Sequence, residues 1–266
     1  MSKKVVRICL WRGPRNISTA LMYSFAQRDD TVVYDEPLYA HYLSKTPARA
    51  YHPGAEEVIA TMENDGEKVV RDLILGDQPK PVALFKNMTH HLMNLDPGFL
   101  SETVNVLLTR DPVDMLPSFA TQIENLSLRD VGYKYHTDLL RQLQSIGQDP
   151  PVLDSKQLLL NPRKVLGELC KRIGIPFQEA MLSWKAGARP EDGSWAKYWY
   201  TSVHQSTGFG KYMQKSEPFP AALNRLLEEC KPYYEQLSAV AIKARRNYSI
   251  SCKSHQTALL QRRPRR

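Results

Sequence analysis

The sequence has few cysteines, and none of them is spaced as a metal site or a redox pair requires. The chain of 266 residues contains four, separated by long stretches: Cys9, Cys170, Cys230 and Cys252. The Cys-x-x-Cys pairs that zinc ribbons and thioredoxin-like centres use are absent. We therefore expect free thiols in a reducing compartment, and a cytoplasmic location.

Long apolar runs are also missing. No stretch approaches the ~20 consecutive apolar residues that a membrane helix needs. The start of the chain, Met-Ser-Lys-Lys-Val, lacks the apolar core of a signal peptide. The sequence therefore predicts a protein without a membrane span, and its length suits one large α/β domain.

Acidic residues are missing from the end of the chain, and this accounts for the whole excess charge. The sequence holds 36 Lys and Arg against 28 Asp and Glu, a formal net charge of +8. The eight basic residues after Val240 are Lys243, Arg245, Arg246, Lys253, Arg262, Arg263, Arg265 and Arg266. The remainder is electrically balanced, so we expect no specific nucleic-acid partner. We predict a domain over residues 1–242 and a basic, disordered tail over residues 243–266.

What the sequence does contain is a regular alternation of strand-like and helix-like segments. Apolar or β-branched runs indicate buried strands at 5–10, 31–34, 82–86, 104–109 and 151–153. Helix-like stretches lie between them, which predicts an α/β fold with a central, mostly parallel sheet flanked by helices. Ligands bind such sheets beyond the carboxyl ends of the strands.

The last third of the chain holds two helices and a long irregular segment. Helical periodicity over 163–173 follows Asn161-Pro162, which can cap and start a helix, and Gly174 ends it. A second amphipathic stretch covers 220–237. The segment 184–212 has no sustained period, so we expect a functional loop or lid. Its aromatic residues either wall a ligand pocket or form a satellite core, and they are Trp184, Trp195, Tyr198, Trp199 and Tyr200.

The turn after the first predicted strand is suited to binding an anion. It contains Arg12, Gly13, Pro14, Arg15, Asn16, Ile17, Ser18 and Thr19, and a helix-like stretch follows. A helix start brings free backbone N–H groups and the positive end of the helix dipole to one point, and the arginines and hydroxyls add donors. The second glycine and the lysine of a nucleoside-triphosphatase loop are missing, which argues against ATP hydrolysis. The plainer alternative is an ordinary helix start with solvated arginines.

Other candidate residues stand at the ends of later strands. Glu36 follows the second strand, Lys86 and His90 follow the third, and Arg110 follows the fourth. Ser118 lies about two helical turns after Arg110, so the two side chains could bind one phosphate together. A buried arginine at a strand end needs an anionic partner.

These motifs closely resemble those of the sulfotransferases that use 3'-phosphoadenosine 5'-phosphosulfate (PAPS), over nearly the whole predicted domain. Pro14 to Thr19 stands where that family has the loop that holds the 5'-phosphosulfate, and Arg110, Pro112 and Ser118 match its 3'-phosphate signature. Asp35-Glu36-Pro37-Leu38 is similar to a motif of one bacterial and plant branch. The resemblance implies a P-loop NTPase-like sulfotransferase fold.

The resemblance also implies a reaction, namely transfer of a sulfonate from PAPS to a hydroxyl or amine of a small-molecule acceptor, without a metal. It implies Arg15 for charge stabilisation, Glu36 or His90 as general base, and Lys86 as a sulfonate ligand. The alternatives are an ion-paired organiser for Glu36, a surface or core position for His90 and a solvated Lys86. The family's late Arg-Lys-Gly triplet is missing, and the corresponding cofactor-binding residues are Ser206, Thr207, Gly208 and Phe209.

One departure from the family and two other functions stay open. Ile17 stands where many relatives have glycine, so we expect less freedom of the loop backbone around the sulfonate. A small-molecule kinase with a P-loop-like site is one alternative, although Arg110 stands where an acidic magnesium ligand would end the strand. A non-catalytic nucleotide-binding protein is the other. The loops 41–53 and 184–212 do not identify the acceptor, and a homodimer is left open.

Overall fold

A parallel sheet forms the centre of the fold. The computed structural model describes residues 5–123, 125–214 and 216–244. Within these ranges the strands are Val6–Arg12 (β1), Thr31–Asp35 (β2), Val82–Met88 (β3), Val104–Thr109 (β4) and Val152–Asp154 (β5). Their order across the sheet is β2-β3-β1-β4-β5, and every pairing is parallel. The predicted parallel α/β architecture is confirmed.

The central strand β1 is buried on both faces. Ile8 and Leu10 face one hydrophobic core, whereas Cys9 and Trp11 face another. Continuous apolar runs of this kind are typical of parallel strands whose two faces are covered by helices. Trp11 is also fully buried. The pairing of β1 with β3 and β4 runs as far as Arg12, whereas the predicted strand ends at residue 10.

Helices connect the strands and cover both faces of the sheet. In the described part of the chain the α-helices are Ser18–Ala26 (α1), Tyr39–Lys45 (α2), Ala55–Thr61 (α3), Gly66–Val69 (α4), Pro112–Ala120 (α5), Leu128–Val131 (α6), Tyr133–Ser145 (α7), Ser155–Leu160 (α8), Pro162–Arg172 (α9), Ala196–Trp199 (α10), Thr201–His204 (α11) and Asn224–Val240 (α12). A π-helical turn spans Val70–Ile74. Short 3₁₀ turns lie at Pro47–Ala50, Thr89–Leu92, Pro97–Glu102, Glu179–Leu182 and Ala221–Leu223.

Helix α9 forms with the predicted caps. Asn161 Oδ1 accepts a hydrogen bond from the Lys164 N–H at 3.1 Å. Pro162 occupies the first helical position, where its missing N–H is not needed. The helix ends at Arg172, and Gly174 follows with φ 76°, a left-handed conformation that glycine adopts readily.

Helix α12 starts and ends later than the predicted stretch 220–237. The 3₁₀ turn Ala221–Leu223 precedes it, and the α-helix runs to Val240. Leu237 is fully buried against the sheet, so the last turn of the helix packs on the core.

The chain packs on the sheet slightly beyond the predicted domain boundary at residue 242. The Ile242 N–H donates to the Val152 carbonyl oxygen at 2.9 Å, and Ala244 is buried in the core. The predicted tail 243–266 therefore begins inside the packed domain. From residue 245 onwards, the tail lies outside the described residues.

The described part of the chain contains three free, buried cysteines, Cys9, Cys170 and Cys230, whereas Cys252 lies outside it. Burial raises the pKa of the Cys9 thiol to about 12, so this side chain is protonated at neutral pH. None of the described helices combines the length and the apolar character that crossing a membrane would require.

The segment 184–212 is more ordered than its composition suggests. It contains α10 and α11, and it packs against the carboxyl ends of β2 and β3. Trp184 is buried in the main core against Tyr23, so it does not wall a ligand pocket. Trp195 and Tyr200 belong to a satellite core with α2 and α3, against which Trp199 packs. These three residues also line the cavity at the end of the sheet, so both expectations hold for them.

Candidate active site

A cavity of about 410 Å³ opens where β1, β3 and β4 end. Its walls come from the loop after β1, from residues after β2, β3 and β4, and from the segment 184–212. The predicted site residues on the wall are Arg12, Pro14, Arg15, Asn16, Ile17, Ser18, Thr19, Glu36, His90, Arg110, Ser206, Gly208 and Phe209. The fold therefore brings most of the predicted site together at one edge of the sheet.

Two arginines lie side by side at the start of α1. Arg110 Nη1 donates to the Arg15 carbonyl oxygen at 2.6 Å, and Arg15 Nε donates to Ser118 Oγ at 3.3 Å. Among the residues that the structure describes, no carboxylate lies within ion-pairing distance of either guanidinium. Burial, followed by the charges of Arg110 and Arg12, lowers the pKa of Arg15 below its ordinary value. Cations held together in this way favour a bound anion.

The loop before α1 has its unusual backbone conformation at Arg15 and not at Ile17. Arg15 adopts φ 50°, in the left-handed region, whereas Ile17 has φ −88°. Ile17 therefore carries no backbone strain of its own, and its effect on the freedom of the loop stays a prediction. Asn16 Nδ2 donates to the Leu108 carbonyl oxygen, and Asn16 Oδ1 accepts from the Ser18 N–H, both at 3.1 Å. These bonds tie the loop to the end of β4.

Behind the loop, four buried charges form a neutral network. Arg12 is ion-paired with Glu36 Oε1, and Lys86 Nζ is ion-paired with Asp35 Oδ1. Lys86 Nζ also lies 3.2 Å from Glu36 Oε1, which links the two pairs. Glu36 adopts φ 49°, and its N–H donates to the Lys86 carbonyl oxygen at 2.7 Å. The predicted ion pair between Glu36 and the loop arginine is present.

The two carboxylates of this network differ in proton affinity. Burial acts to raise the pKa of Glu36, but Arg12 and Lys86 outweigh it, so the pKa lies below its ordinary value. Burial raises the pKa of Asp35, although Lys86 opposes the shift. A carboxylate held by two cations accepts a proton poorly. This arrangement favours Glu36 as an organiser over Glu36 as a general base.

Lys86 is neither solvated nor on the cavity wall. Its side chain is fully buried, and Nζ lies 2.5 Å from Tyr200 Oη and 3.3 Å from Thr19 Oγ1. The solvated alternative is therefore wrong. Thr19, Glu36 and Tyr200 line the cavity, and each has an oxygen close to Lys86 Nζ, so Lys86 acts on the cavity through these side chains.

His90 and His91 lie on the 3₁₀ turn after β3, beside two tyrosines. The His90 ring is 4.7 Å from that of Tyr42, and the His91 ring is stacked on Tyr39 at 5.3 Å. Burial, followed by Arg12, lowers the pKa of His90 to about 3, and burial also lowers that of His91. His90 Nδ1 and both ring nitrogens of His91 have no hydrogen-bond partner within the described ranges. Both rings are therefore neutral at pH 7 and can accept a hydrogen bond.

A second cavity of about 490 Å³ adjoins the first. Its other walls include Tyr42, Tyr51 and Leu139. The two cavities share His52, Met88, His90, Phe119 and Ile123. His90 thus lies at the junction of a cavity that contains the arginines and a cavity of mixed lining, in which aromatic and aliphatic side chains stand beside charged ones such as Arg129 and Asp130.

Three more predicted site residues lie off the cavity wall. A Cβ on Gly13 would lie 3.3 Å from the Val131 carbonyl oxygen, so this glycine permits close packing against the end of α6. Ser118 contacts Arg15 and does not line the cavity itself. Thr207 is exposed, and its carbonyl oxygen accepts a backbone hydrogen bond.

Sequence reasoning missed some residues that line the cavity. They include Tyr39, which directly follows the Asp35–Leu38 motif, His52 and Phe119. The described residues contain no group of three His, Cys, Asp or Glu that could hold a metal ion.

Comparison with known proteins identifies the family. The family described as Sulfotransferase domain matches residues 6–243. The chain belongs to this family. The match covers the whole candidate site and all five strands of the sheet.

Two curated relatives are similar in sequence over part of their length. The chain is 41% identical over 228 residues to Branched-chain-amino-acid aminotransferase-like proteins 1 and 2 of Arabidopsis thaliana. The aligned region covers 85% of this chain and 40% of each relative, so the chain spans about two fifths of their length.

Solved structures share the fold. The sulfotransferase domain from the curacin biosynthetic pathway superposes with a TM-score of 0.55 at 16% identity and covers 89% of this chain and 99% of that one. The sulfotransferase from Alicyclobacillus acidocaldarius gives a TM-score of 0.50 at 14% identity, with coverage of 88% and 94%. The predicted sulfotransferase fold is therefore confirmed.

Proposed function

We propose that this chain transfers a sulfonate from PAPS to a hydroxyl or amine of a small-molecule acceptor. The observation that carries the proposal is the pair Arg15 and Arg110, which lies at the start of α1 without a carboxylate partner in the described residues. Family membership supports the same reaction class. The free cysteines of the described part agree with a cytoplasmic location, which we also propose.

The residues present fit an anionic nucleotide. Arg15, Ser18, Thr19 and the N-terminus of α1 would hold the 5'-phosphosulfate, and Arg110 would hold the 3'-phosphate with Ser118. The lowered pKa of Arg15, caused by burial and by Arg110 and Arg12, supports the assignment, because a bound anion would relieve this repulsion. Ser206, Gly208 and Phe209 on the opposite wall would complete the nucleotide site.

PAPS supplies an activated sulfonate when bound, so the protein needs chiefly to position the reactants and stabilise charge. Arg15 and the Thr19 hydroxyl are placed to stabilise the negative charge that develops on the leaving side. The buried network of Arg12, Glu36 and Lys86 fixes these groups from behind. Residues locked in this way lose little orientational freedom during the reaction.

The proton of the acceptor requires a base on the acceptor side. His90 is our candidate on geometry, because its Nδ1 has no hydrogen-bond partner in the described ranges. Burial and Arg12 lower its pKa to about 3, which makes it a weak base without ligand, and the negative charge of bound PAPS would raise that pKa. It also lies at the junction of the two cavities, where an acceptor in the second cavity would meet the sulfonate. Glu36, ion-paired with Arg12, would act through its neighbours instead.

A direct test is calorimetric titration of the protein with 3'-phosphoadenosine 5'-phosphate (PAP), with ATP and magnesium run alongside. Micromolar binding of PAP without binding of ATP would support the proposal and justify an acceptor screen with PAPS. Binding of ATP alone would favour the kinase. Binding of PAP with no turnover across the screen would favour a non-catalytic nucleotide-binding protein.

Arg110→Ala is the informative variant in this titration. The dissociation constant for PAP should rise about 10- to 100-fold, the scale of a charge-assisted hydrogen bond. The dissociation constant of Arg110→Lys should lie between those of wild type and Arg110→Ala, because lysine keeps the charge but lacks the planar pair of donors of a guanidinium. The matched control is Arg225→Ala, since Arg225 is 92% exposed on α12 and does not line the cavity. Equal affinities for Arg110→Ala and wild type would remove Arg110 from the site.

A further inference from the structure

The hydroxyl of Tyr200 is buried among charged groups at the back of the candidate site. Tyr200 Oη donates to Asp35 Oδ2 at 2.7 Å, lies 2.5 Å from Lys86 Nζ, and accepts from Trp195 Nε1 at 3.1 Å. Tyr200 is 5% exposed, and the Lys86 ammonium lies 4.9 Å from the centre of its ring. Tyr200 belongs to the segment 184–212, whereas Asp35 and Lys86 belong to the sheet. One hydroxyl therefore joins the two parts of the protein.

Lys86 connects the Tyr200 hydroxyl to Thr19 on the cavity wall. An ammonium has three N–H donors and accepts no hydrogen bond. The donors of Lys86 face Asp35 Oδ1, Tyr200 Oη and the space between Glu36 Oε1 and Thr19 Oγ1. Because two donors are held by Asp35 and Tyr200, the third is shared between Glu36 Oε1 at 3.2 Å and Thr19 Oγ1 at 3.3 Å. Thr19 Oγ1, 3.3 Å away, then accepts from Lys86 and has its own proton free to donate into the cavity.

We propose that Tyr200 is a positioning residue that orients Lys86, and through Lys86 makes the Thr19 hydroxyl a donor to an anion in the cavity. The proposal rests on the proposed function only in the choice of nucleotide as the ligand. It assigns a role to the segment 184–212 beyond covering the cavity. Through the Tyr200 hydroxyl, the segment orients Lys86, so that Thr19 can donate a hydrogen bond to an anion.

A purely structural role for Tyr200 has a matched counterpart in the same protein. Tyr23 Oη donates to Asp192 Oδ1 at 2.7 Å, so a second tyrosine–carboxylate bond also joins the body to the segment 184–212. The Tyr23 bond does not involve Lys86 or Thr19. Tyr23→Phe therefore removes one anchor of the segment without touching the path to the cavity.

The experiment is a double-mutant cycle read by ligand affinity. Wild type, Tyr200→Phe, Thr19→Val and the double variant are titrated with PAP and with inorganic sulfate, and Tyr23→Phe and Thr19→Ser serve as controls. Tyr200→Phe and Thr19→Val should each weaken PAP binding about 3- to 10-fold, the scale of one hydrogen bond. The double variant should be no weaker than the worse single variant, because both changes break the same path. Thr19→Ser keeps the hydroxyl and should restore affinity to within about twofold of wild type.

The controls separate positioning from anchoring. Tyr23→Phe should lower the melting temperature, because it removes one bond between the body and the segment, yet leave PAP affinity within about twofold of wild type. Equal loss of affinity in the two tyrosine variants, or additive losses in the cycle, would overturn the proposal.

The two ligands distinguish this proposal from the proposed function. If wild type binds sulfate but not PAP, the nucleotide assignment fails, and the cycle measured with sulfate still decides the role of Tyr200. If wild type binds neither ligand, there is no anion for Thr19 to meet, and both proposals are overturned.

Discussion

Glu36 lines the cavity, yet its contacts are those of a residue that organises the site. Its backbone adopts φ 49°, which costs a residue with a side chain of order 1 kcal/mol or more. The conformation persists because the Glu36 N–H is bonded to the Lys86 carbonyl oxygen and its carboxylate is held by Arg12 and Lys86. The residue therefore fixes the loop arginine from behind. His90, in contrast, has no such ties and faces both cavities.

A comparison of Glu36→Gln with His90→Gln separates the organiser from the base. Glu36→Gln leaves two buried cations short of a counter-charge, so the free energy of unfolding in urea should fall by about 3 kcal/mol. His90→Gln should change it by less than about 1 kcal/mol, because the ring is partly exposed to the cavity and breaks no hydrogen bond. Turnover, measured as PAP release from PAPS with an acceptor, should fall about 100-fold or more in His90→Gln.

The outcome that would reverse these roles is specific. Turnover that survives in His90→Gln and vanishes in a Glu36→Gln variant of undiminished stability would make Glu36 the base. PAP affinity measured in parallel shows whether either change has disturbed the nucleotide site instead.

At the scale of elements, the turn between β1 and α1 needs a left-handed residue, and it places that residue at position 15. Ile17 has ordinary backbone angles, its carbonyl oxygen accepts the first bond of α1 from the Leu21 N–H, and its side chain packs on the main core. Ile17→Gly should therefore lower the free energy of unfolding by about 1 to 3 kcal/mol, through lost burial and added backbone freedom. Chemical denaturation gives this number, and titration with PAP should show no gain in affinity. Tighter binding by Ile17→Gly would mean that the isoleucine does restrict the loop.

The elements that the sequence predicts well are those whose signals are local. Apolar or β-branched runs mark all five strands, and Asn161, Pro162 and Gly174 bound α9, because capping and proline geometry act within a few residues. The ends of strands at the site carry Arg12, Glu36 and Arg110, as expected for a parallel sheet.

The features that escape sequence reasoning depend on distant partners. The burial of Lys86 requires Tyr200, which lies 114 positions away, so no local pattern distinguishes it from a solvated lysine. The segment 184–212 forms two short helices because its aromatic side chains pack on α2 and α3, and not through a period of its own. His52 reaches the cavity from a loop without a readable pattern.

At the scale of the whole molecule, the net positive charge of the chain does not explain the positive charge at the site. The formal excess of +8 lies in the residues after Val240, and the remainder is balanced. The buried network of Arg12, Glu36, Lys86 and Asp35 is neutral as well. The cations on the cavity wall that have no ion pair in the described residues are Arg15, Arg110 and Lys211. We expect an anion to be attracted to them at short range, and salt should screen this attraction less than it would screen a surface patch.

Histidines buried as neutral rings make the stability of the whole domain depend on pH. His136 is 2% exposed, and its Nε2 lies 3.3 Å from the Trp11 carbonyl oxygen. Burial lowers the pKa of His136 from 6.5 to about 4. Above pH 6.5 the ring is neutral in the folded and the unfolded chain, so pH has no effect through this group. Below pH 6.5 His136 is protonated in the unfolded chain but stays neutral in the folded chain. The free energy of unfolding therefore falls until the pH reaches about 4.

The variant His136→Gln tests this assignment. Between pH 6.5 and about 4, the wild-type free energy of unfolding should fall more steeply than that of His136→Gln, by up to about 1.4 kcal/mol per pH unit. Urea denaturation at several pH values from 7.5 to about 4.5 measures both slopes. Any packing lost in the variant lowers its curve equally at all pH values, so the slope alone reports the buried ring. Parallel curves would mean that His136 takes up its proton in the folded protein as readily as in the unfolded chain, and that any acid sensitivity has its origin in other groups, such as the buried rings of His90 and His91.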